Sequence, residues 1–150
     1  MPTSFLTAGT DQRELEDQPI HGPHVIAGAP VARATNLTVS PDRQVSTYLW
    51  DCTAGTFHWY FHVDEVVHIL EGEVRVTGDD GRTETLRAGD IGHFPYGTHM
   101  VWEVPEYVRK FAVHRAYSRS FAARAGRKVK RMLVPAAAVI AVPVVCGLPV

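Results

Sequence analysis

From Ala34 to about Tyr117, short runs rich in Val, Ile, Thr and aromatic residues recur along the chain with turn-forming residues between them. Strand-sized runs spaced by roughly eight to twelve residues are the signature of an all-β sandwich or barrel. The candidate strands cover 45–52, 57–62, 66–70, 73–77, 83–86, 91–94, 100–104 and 108–115, and Asp79-Asp80-Gly81 joins two of them in a tight hairpin. No helical periodicity of useful length precedes Ser118, and no internal repeat is visible. The predicted class is a closed or two-sheet antiparallel barrel.

At 150 residues the chain is long enough for one domain with a real core, and 45% hydrophobic against 21% charged residues describes a globular chain. The two cysteines, Cys52 and Cys146, are far apart and form no Cys-x-x-Cys, which argues against a disulfide scaffold and a structural zinc site. Asp11, Glu14, Glu16 and Asp17 fall where a signal peptide would be apolar, so a cytoplasmic location is expected.

The charge is divided unevenly. Residues 1–108 hold all sixteen acidic and only six basic residues, a balance of −10, whereas 109–150 carry +9. The last nineteen residues, 132–150, have no charge, and Arg127, Lys128, Lys130 and Arg131 precede them. A helix of nineteen residues reaches about 28 Å, close to the hydrocarbon core of a bilayer. Membrane contact through this tail is one expectation, packing on its own barrel or on a partner a second, and disorder a third. Three prolines and a Val-rich texture weigh against a spanning helix. Nucleic acid is not an expected partner, because the basic stretch lacks a nucleic-acid motif and adjoins the apolar run. The expected organisation is an N-terminal arm (1–36), a barrel (37–117), a basic linker (118–131) and an apolar tail (132–150).

Two Gly-bounded stretches have specific spacing. Glu65 is followed after six residues by Gly72, and Gly89 precedes Pro95 by five, in Gly89-x5-Pro95-x-Gly97. This joint pattern resembles the two motifs of the cupin superfamily. Trp102, with Arg109-Lys110 in the next run, is similar more specifically to the (S)-ureidoglycine aminohydrolase-type cupins. The resemblance implies a cupin-type double-stranded β-helix, a jelly-roll barrel; the basic–apolar C-terminal extension, expected to be helical, lies outside it and is read from its charge and hydropathy alone. It also implies an interior divalent metal (Mn, Fe, Ni or Zn) held by histidines and the motif glutamate, and hydrolysis of a C–N bond in a ureide or amino-acid-derived compound.

Carried onto this chain, the metal ligands become His58, Glu65 and His99, with His62 in reserve. Glu65 and Lys110 are the candidate catalytic pair, and Tyr60, Trp102 and Met100 the candidate substrate contacts. Strand parity leaves two readings of 57–62, since His58, Tyr60 and His62 share one face and Phe57, Trp59 and Phe61 the other. Either the histidines enter the barrel or the aromatics do. Parity also turns His99 away from Met100, Trp102 and Val104 unless a bulge intervenes. His68, His93 and His114 read as strand-surface residues, and Cys52 as a buried, inert thiol. Glu65, if buried among apolar groups, is expected to have a raised pKa suited to general acid–base work.

The expected function is binding of a small polar metabolite inside the barrel, extended to metal-assisted hydrolysis if the metal site is complete. The alternatives are a metal-free sensor or storage module and a membrane-attached dimeric scaffold. A homodimer is expected because an open jelly roll leaves sheet edges that need covering, and residues 25–31 are a candidate cover in cis or in trans.

Overall fold

The computed structural model describes residues 5–11 and 13–116. It contains eight strands, all paired antiparallel: β1 (Glu16–Asp17), β2 (Val25–Gly28), β3 (Ala32–Val39), β4 (Val45–Tyr60), β5 (Asp64–Gly78), β6 (Thr83–Arg87), β7 (Ile91–Phe94) and β8 (His99–Arg115). Among the described residues the single helical element is one 3-10 turn, Gly22–His24.

Three strands are about twice as long as the periodicity predicts. The runs at 45–52 and 57–62 join in one strand, β4, which ends at Tyr60, two residues short of the second run; those at 66–70 and 73–77 form β5; those at 100–104 and 108–115 form β8. The residues that read as breaks are bends within continuous strands. Pairing of β4 with β8 shifts register between Thr53 and Gly55, and pairing of β5 with β8 shifts between Ile69 and Glu71 and again between Gly72 and Arg75. A bulge bends a strand without ending it, because the backbone groups on either side stay paired. Each long strand therefore serves two sheets. The first halves of β4 and β5 and the second half of β8 lie with β1, β3 and β7; the other halves lie with β2 and β6.

The two layers face each other across an aromatic core. Trp50 from the first layer meets Trp59 at 5.5 Å and Trp102 at 6.0 Å from the second, and Phe94 stacks on Phe61 at 4.7 Å between centroids. The bulge at Ala54 also changes parity. Even-numbered residues of β4 point inward before it and odd-numbered ones after it, which buries Trp50 and Cys52 and then Phe57 and Trp59.

The motif glycine Gly72 sits at the bend of β5 with φ +72°, and a Cβ there would lie 1.9 Å from the Tyr107 carbonyl oxygen at the bend of β8. Neither the backbone conformation nor the close approach admits a side chain. Gly72→Ala is expected to cost about 3 kcal/mol or more, read as a drop of ~10 °C or more in thermal unfolding.

The N-terminal arm is more ordered than its composition suggests. β1 pairs with β3, Gln18 N–H donates to the Ala32 carbonyl at 2.9 Å, and Ile20 packs against the core. Arg109 Nη2 holds the preceding segment by donating to the Thr10 carbonyl at 2.6 Å. β2 pairs with β4 of the same chain, so the expected edge cover operates in cis. The basic linker and the apolar tail, with the helix and the membrane contact expected of them, lie outside the described residues.

Candidate functional site

Inward-facing positions at the centre of the barrel bring together two charged groups and an imidazole. Glu65 (β5), Lys110 and His114 (both β8) are each at most 2% exposed. Direct pairing across the sheet sets Glu65 opposite His114 and Trp50 opposite Lys110. Lys110 and His114 lie four residues apart on one strand, so both point inward, and the long lysine stem reaches the carboxylate. Lys110 Nζ donates to Glu65 Oε1 at 2.5 Å, and His114 Nε2 lies 3.3 Å from Oε2. Both carboxylate oxygens are thus engaged.

Three indoles enclose the ammonium. Lys110 Nζ sits over Trp102 at 4.6 Å, Trp50 at 4.8 Å and Trp59 at 5.6 Å from the ring centroids. Cation–π attraction favours this, since the faces of indole carry the negative part of its quadrupole. A ring presenting its face to a cation keeps its N–H, which lies in the ring plane, for another partner. The Nε1 atoms of Trp50, Trp59 and Trp102 are all buried without a hydrogen-bond partner among the described residues.

Burial alone would push the Glu65 carboxyl up, as the sequence suggests. The charge of Lys110, with His114 hydrogen-bonded to the carboxylate, overrides burial and holds the group well below the ordinary carboxylate range. Glu65 is therefore ionised at neutral pH and is not the raised-pKa acid expected from an apolar setting. The Cys52 thiol is pushed up to about 12, by burial first and the Asp51 charge second, which keeps it the inert thiol expected.

A small pocket of about 10 Å³, room for roughly one water, opens onto this cluster. Lys110 and His114 line it with polar groups, Tyr48 and Trp50 with aromatic rings, Ala34 and Ala112 with small side chains, and Gln18 reaches it from the N-terminal arm. Trp50 and Gln18 each carry a buried polar atom with no hydrogen-bond partner among the described residues. One is a donor, Trp50 Nε1–H, and the other an acceptor, Gln18 Oε1.

The remaining sequence candidates fall in different places. Trp102 lies inside the barrel beside Lys110, and Met100 packs at the margin of the same core. Tyr60 does not reach the pocket; it lies on the outer face and is 39% exposed. His58 and His99 are also on that outer face, because Phe57, Trp59 and Phe61 take the inward positions. There His58 Nδ1 and His99 Nε2 are 2.9 Å apart, and His99 Nδ1 lies 2.7 Å from Asp79 Oδ1. His99 Nδ1–H donates to the carboxylate, and which ring donates in the His58–His99 contact depends on the tautomers. His62 is exposed. The expected ligand set of His58, Glu65 and His99 is accordingly split across two faces of one sheet.

His114 is the residue that sequence reasoning misplaced. Its buried position was signalled by Lys110: once that residue is taken as inward, so is every second residue of the same strand. The donor set around Glu65 does not fit a divalent cation. One oxygen carries an ammonium, the other faces His114, and no cluster of three or more His, Cys, Asp or Glu with metal-holding geometry occurs among the described residues.

Comparison with known proteins agrees with this architecture. Residues 39–112 match the family model described as the EutQ-like cupin domain. A putative ethanolamine utilization protein Q from Salmonella typhimurium is similar in structure at 25% identity and TM-score 0.53, covering 73% of this chain and 100% of that one. The EutQ protein of Clostridium difficile is 21% identical with TM-score 0.52, over 60% of this chain and 66% of that one. A DUF861-family protein of unknown function from Pseudomonas syringae pv. tomato is 24% identical with TM-score 0.63, over 69% of this chain. The chain spans 45% of that last protein, less than half its length. No curated protein matches by sequence.

Proposed function

Because residues 39–112 match the EutQ-like cupin domain and the interior is built around an ion pair, we propose that the barrel binds a small neutral metabolite carrying both a carbonyl and an N–H. Ureides and amides, including amino-acid-derived ones, are the compounds with this pattern. The observation that carries the reading is the pair of unsatisfied groups at one pocket, the Trp50 donor and the Gln18 acceptor. A buried donor and a buried acceptor without partners both favour a ligand that supplies the complements. Charge supports the same class: Glu65 and Lys110 cancel each other, so a charged ligand would add an uncompensated charge to a buried space.

Gln18 carries its own carboxamide at the mouth. In this reading the side chain swings aside to admit the ligand, and its Oε1 then accepts from the ligand's N–H. Binding is favoured over hydrolysis because Glu65, the one carboxylate of the cluster, has both oxygens engaged and does not line the pocket.

The test is calorimetry and thermal shift on the full chain with N-methylurea, hydantoin and acetamide, beside acetate and ethanolamine as charged probes. Ethanolamine is included because it appears in the name of the Salmonella protein. The neutral probes are expected to bind, and Trp50→Phe, which deletes the donor, to weaken them about three- to tenfold. Binding of the charged probes alone, or equal binding to Trp50→Phe, would overturn the assignment.

A further inference from the structure

The cupin resemblance assigns Glu65 to a metal, yet its carboxylate is filled from within the chain. We propose that the Lys110 ammonium is a built-in replacement for that metal: it excludes divalent cations from Glu65 and is the electrophilic group that a ligand oxygen meets. The cation is covalently tethered, fully buried and bonded to Oε1, with three indole faces around it. A metal approaching Glu65 would meet a positive charge at contact distance in a poorly solvated space, where like charges repel far more strongly than in water. An ammonium has three donors and the carboxylate uses one, which leaves hydrogen-bonding capacity. Because Lys110 lines the pocket, that capacity can be turned toward a guest.

The exclusion of metal stands on this geometry alone. The contact with a ligand oxygen rests on the binding reading above. The two parts fail separately.

Metal exclusion is tested by equilibrium dialysis of the full chain against Mn²⁺, Co²⁺, Ni²⁺ and Zn²⁺. His58→Ala and His99→Ala are included so that the outer imidazoles do not contribute. This protein is expected to retain no stoichiometric metal. Adding Lys110→Met frees Glu65 and His114, and Co²⁺ affinity is expected to rise at least about tenfold. One metal per chain with Lys110 intact overturns the proposal, whatever the ligand experiments give. If Lys110→Met does not fold, the dialysis with Lys110 in place still decides.

The ligand contact is read in the otherwise unaltered chain by the ¹⁵N resonance of the Lys110 side chain on addition of hydantoin. A shift is expected on saturation. Saturation by calorimetry with an unmoved resonance would overturn this contact while leaving the binding reading intact. Absence of any binding would overturn the binding reading and the contact together, while leaving metal exclusion to the dialysis.

Discussion

Lys110→Met is expected to destabilise the fold by about 3–5 kcal/mol, the range for removing one partner of a buried ion pair. The size of the effect comes from what is left behind. Glu65 is 1% exposed and would retain a charge in an apolar, aromatic interior, with His114 as its remaining neighbour in the cluster. Methionine keeps most of the lysine stem, so the loss reports the charge and not a cavity. The double variant Lys110→Met, Glu65→Gln removes both charges and is expected to recover most of the stability, since replacing a buried pair with neutral groups is often close to neutral. Chemical denaturation of the parent, both single variants and the double variant gives the coupling energy directly. A Lys110→Met protein as stable as the parent would show that the pair is open to solvent.

The second large effect is loss of stability in acid. The Glu65 carboxyl is held down to about 2 in the folded protein, against roughly 4.3 for a glutamate in an unfolded chain. Unfolded chains therefore take up a proton at this position over a range in which folded ones do not. The stabilisation is complete above about pH 4.5 and drains away as pH falls toward 2, with a size on the order of 3 kcal/mol. Denaturation midpoints recorded between pH 6 and 2.5 are expected to fall for the parent chain. In the double variant Lys110→Met, Glu65→Gln the fall is expected to be shallower by a comparable amount. Parallel curves for the two proteins would remove Glu65 from the acid response.

The fold was readable because alternation and motif spacing survive changes in the detail of the chain. Seven of the eight predicted runs lie wholly in strands, 57–62 overshoots the end of β4 by two residues, and the tight turn at Asp79-Asp80-Gly81 joins β5 to β6. The continuity of β4, β5 and β8 was not readable, because Ala54-Gly55, Glu71-Gly72 and Pro105-Glu106 look the same whether a strand ends or only bends there. The site was partly readable. Glu65 and Lys110 follow from motif position, and the structure places them in contact. Orientation within 57–62 was open, and the aromatics took the interior because they gain more by leaving water than two histidines and a tyrosine. His114 was missed through treating each histidine alone, without carrying the inward parity of Lys110 two steps along β8. Gln18 could not have been found by spacing. It reaches the pocket through the pairing of β1 with β3, a contact between an acidic, polar arm and the barrel that leaves no periodic trace.

The bends of β4, β5 and β8 govern how the interior can be reached. Since the same three strands run through both layers, the layers are stitched together at every crossing and cannot hinge apart like a clamshell. Opening along that direction would break the longest ladders in the molecule, β4 with β8 and β5 with β8. The two-residue strand β1 and the hydrogen bond donated by the Gln18 N–H to the Ala32 carbonyl are, by contrast, a short seam at the sheet edge. In the binding reading proposed above, a ligand would enter by peeling that one edge, at the cost of a few hydrogen bonds, with the long ladders behind Lys110 kept intact.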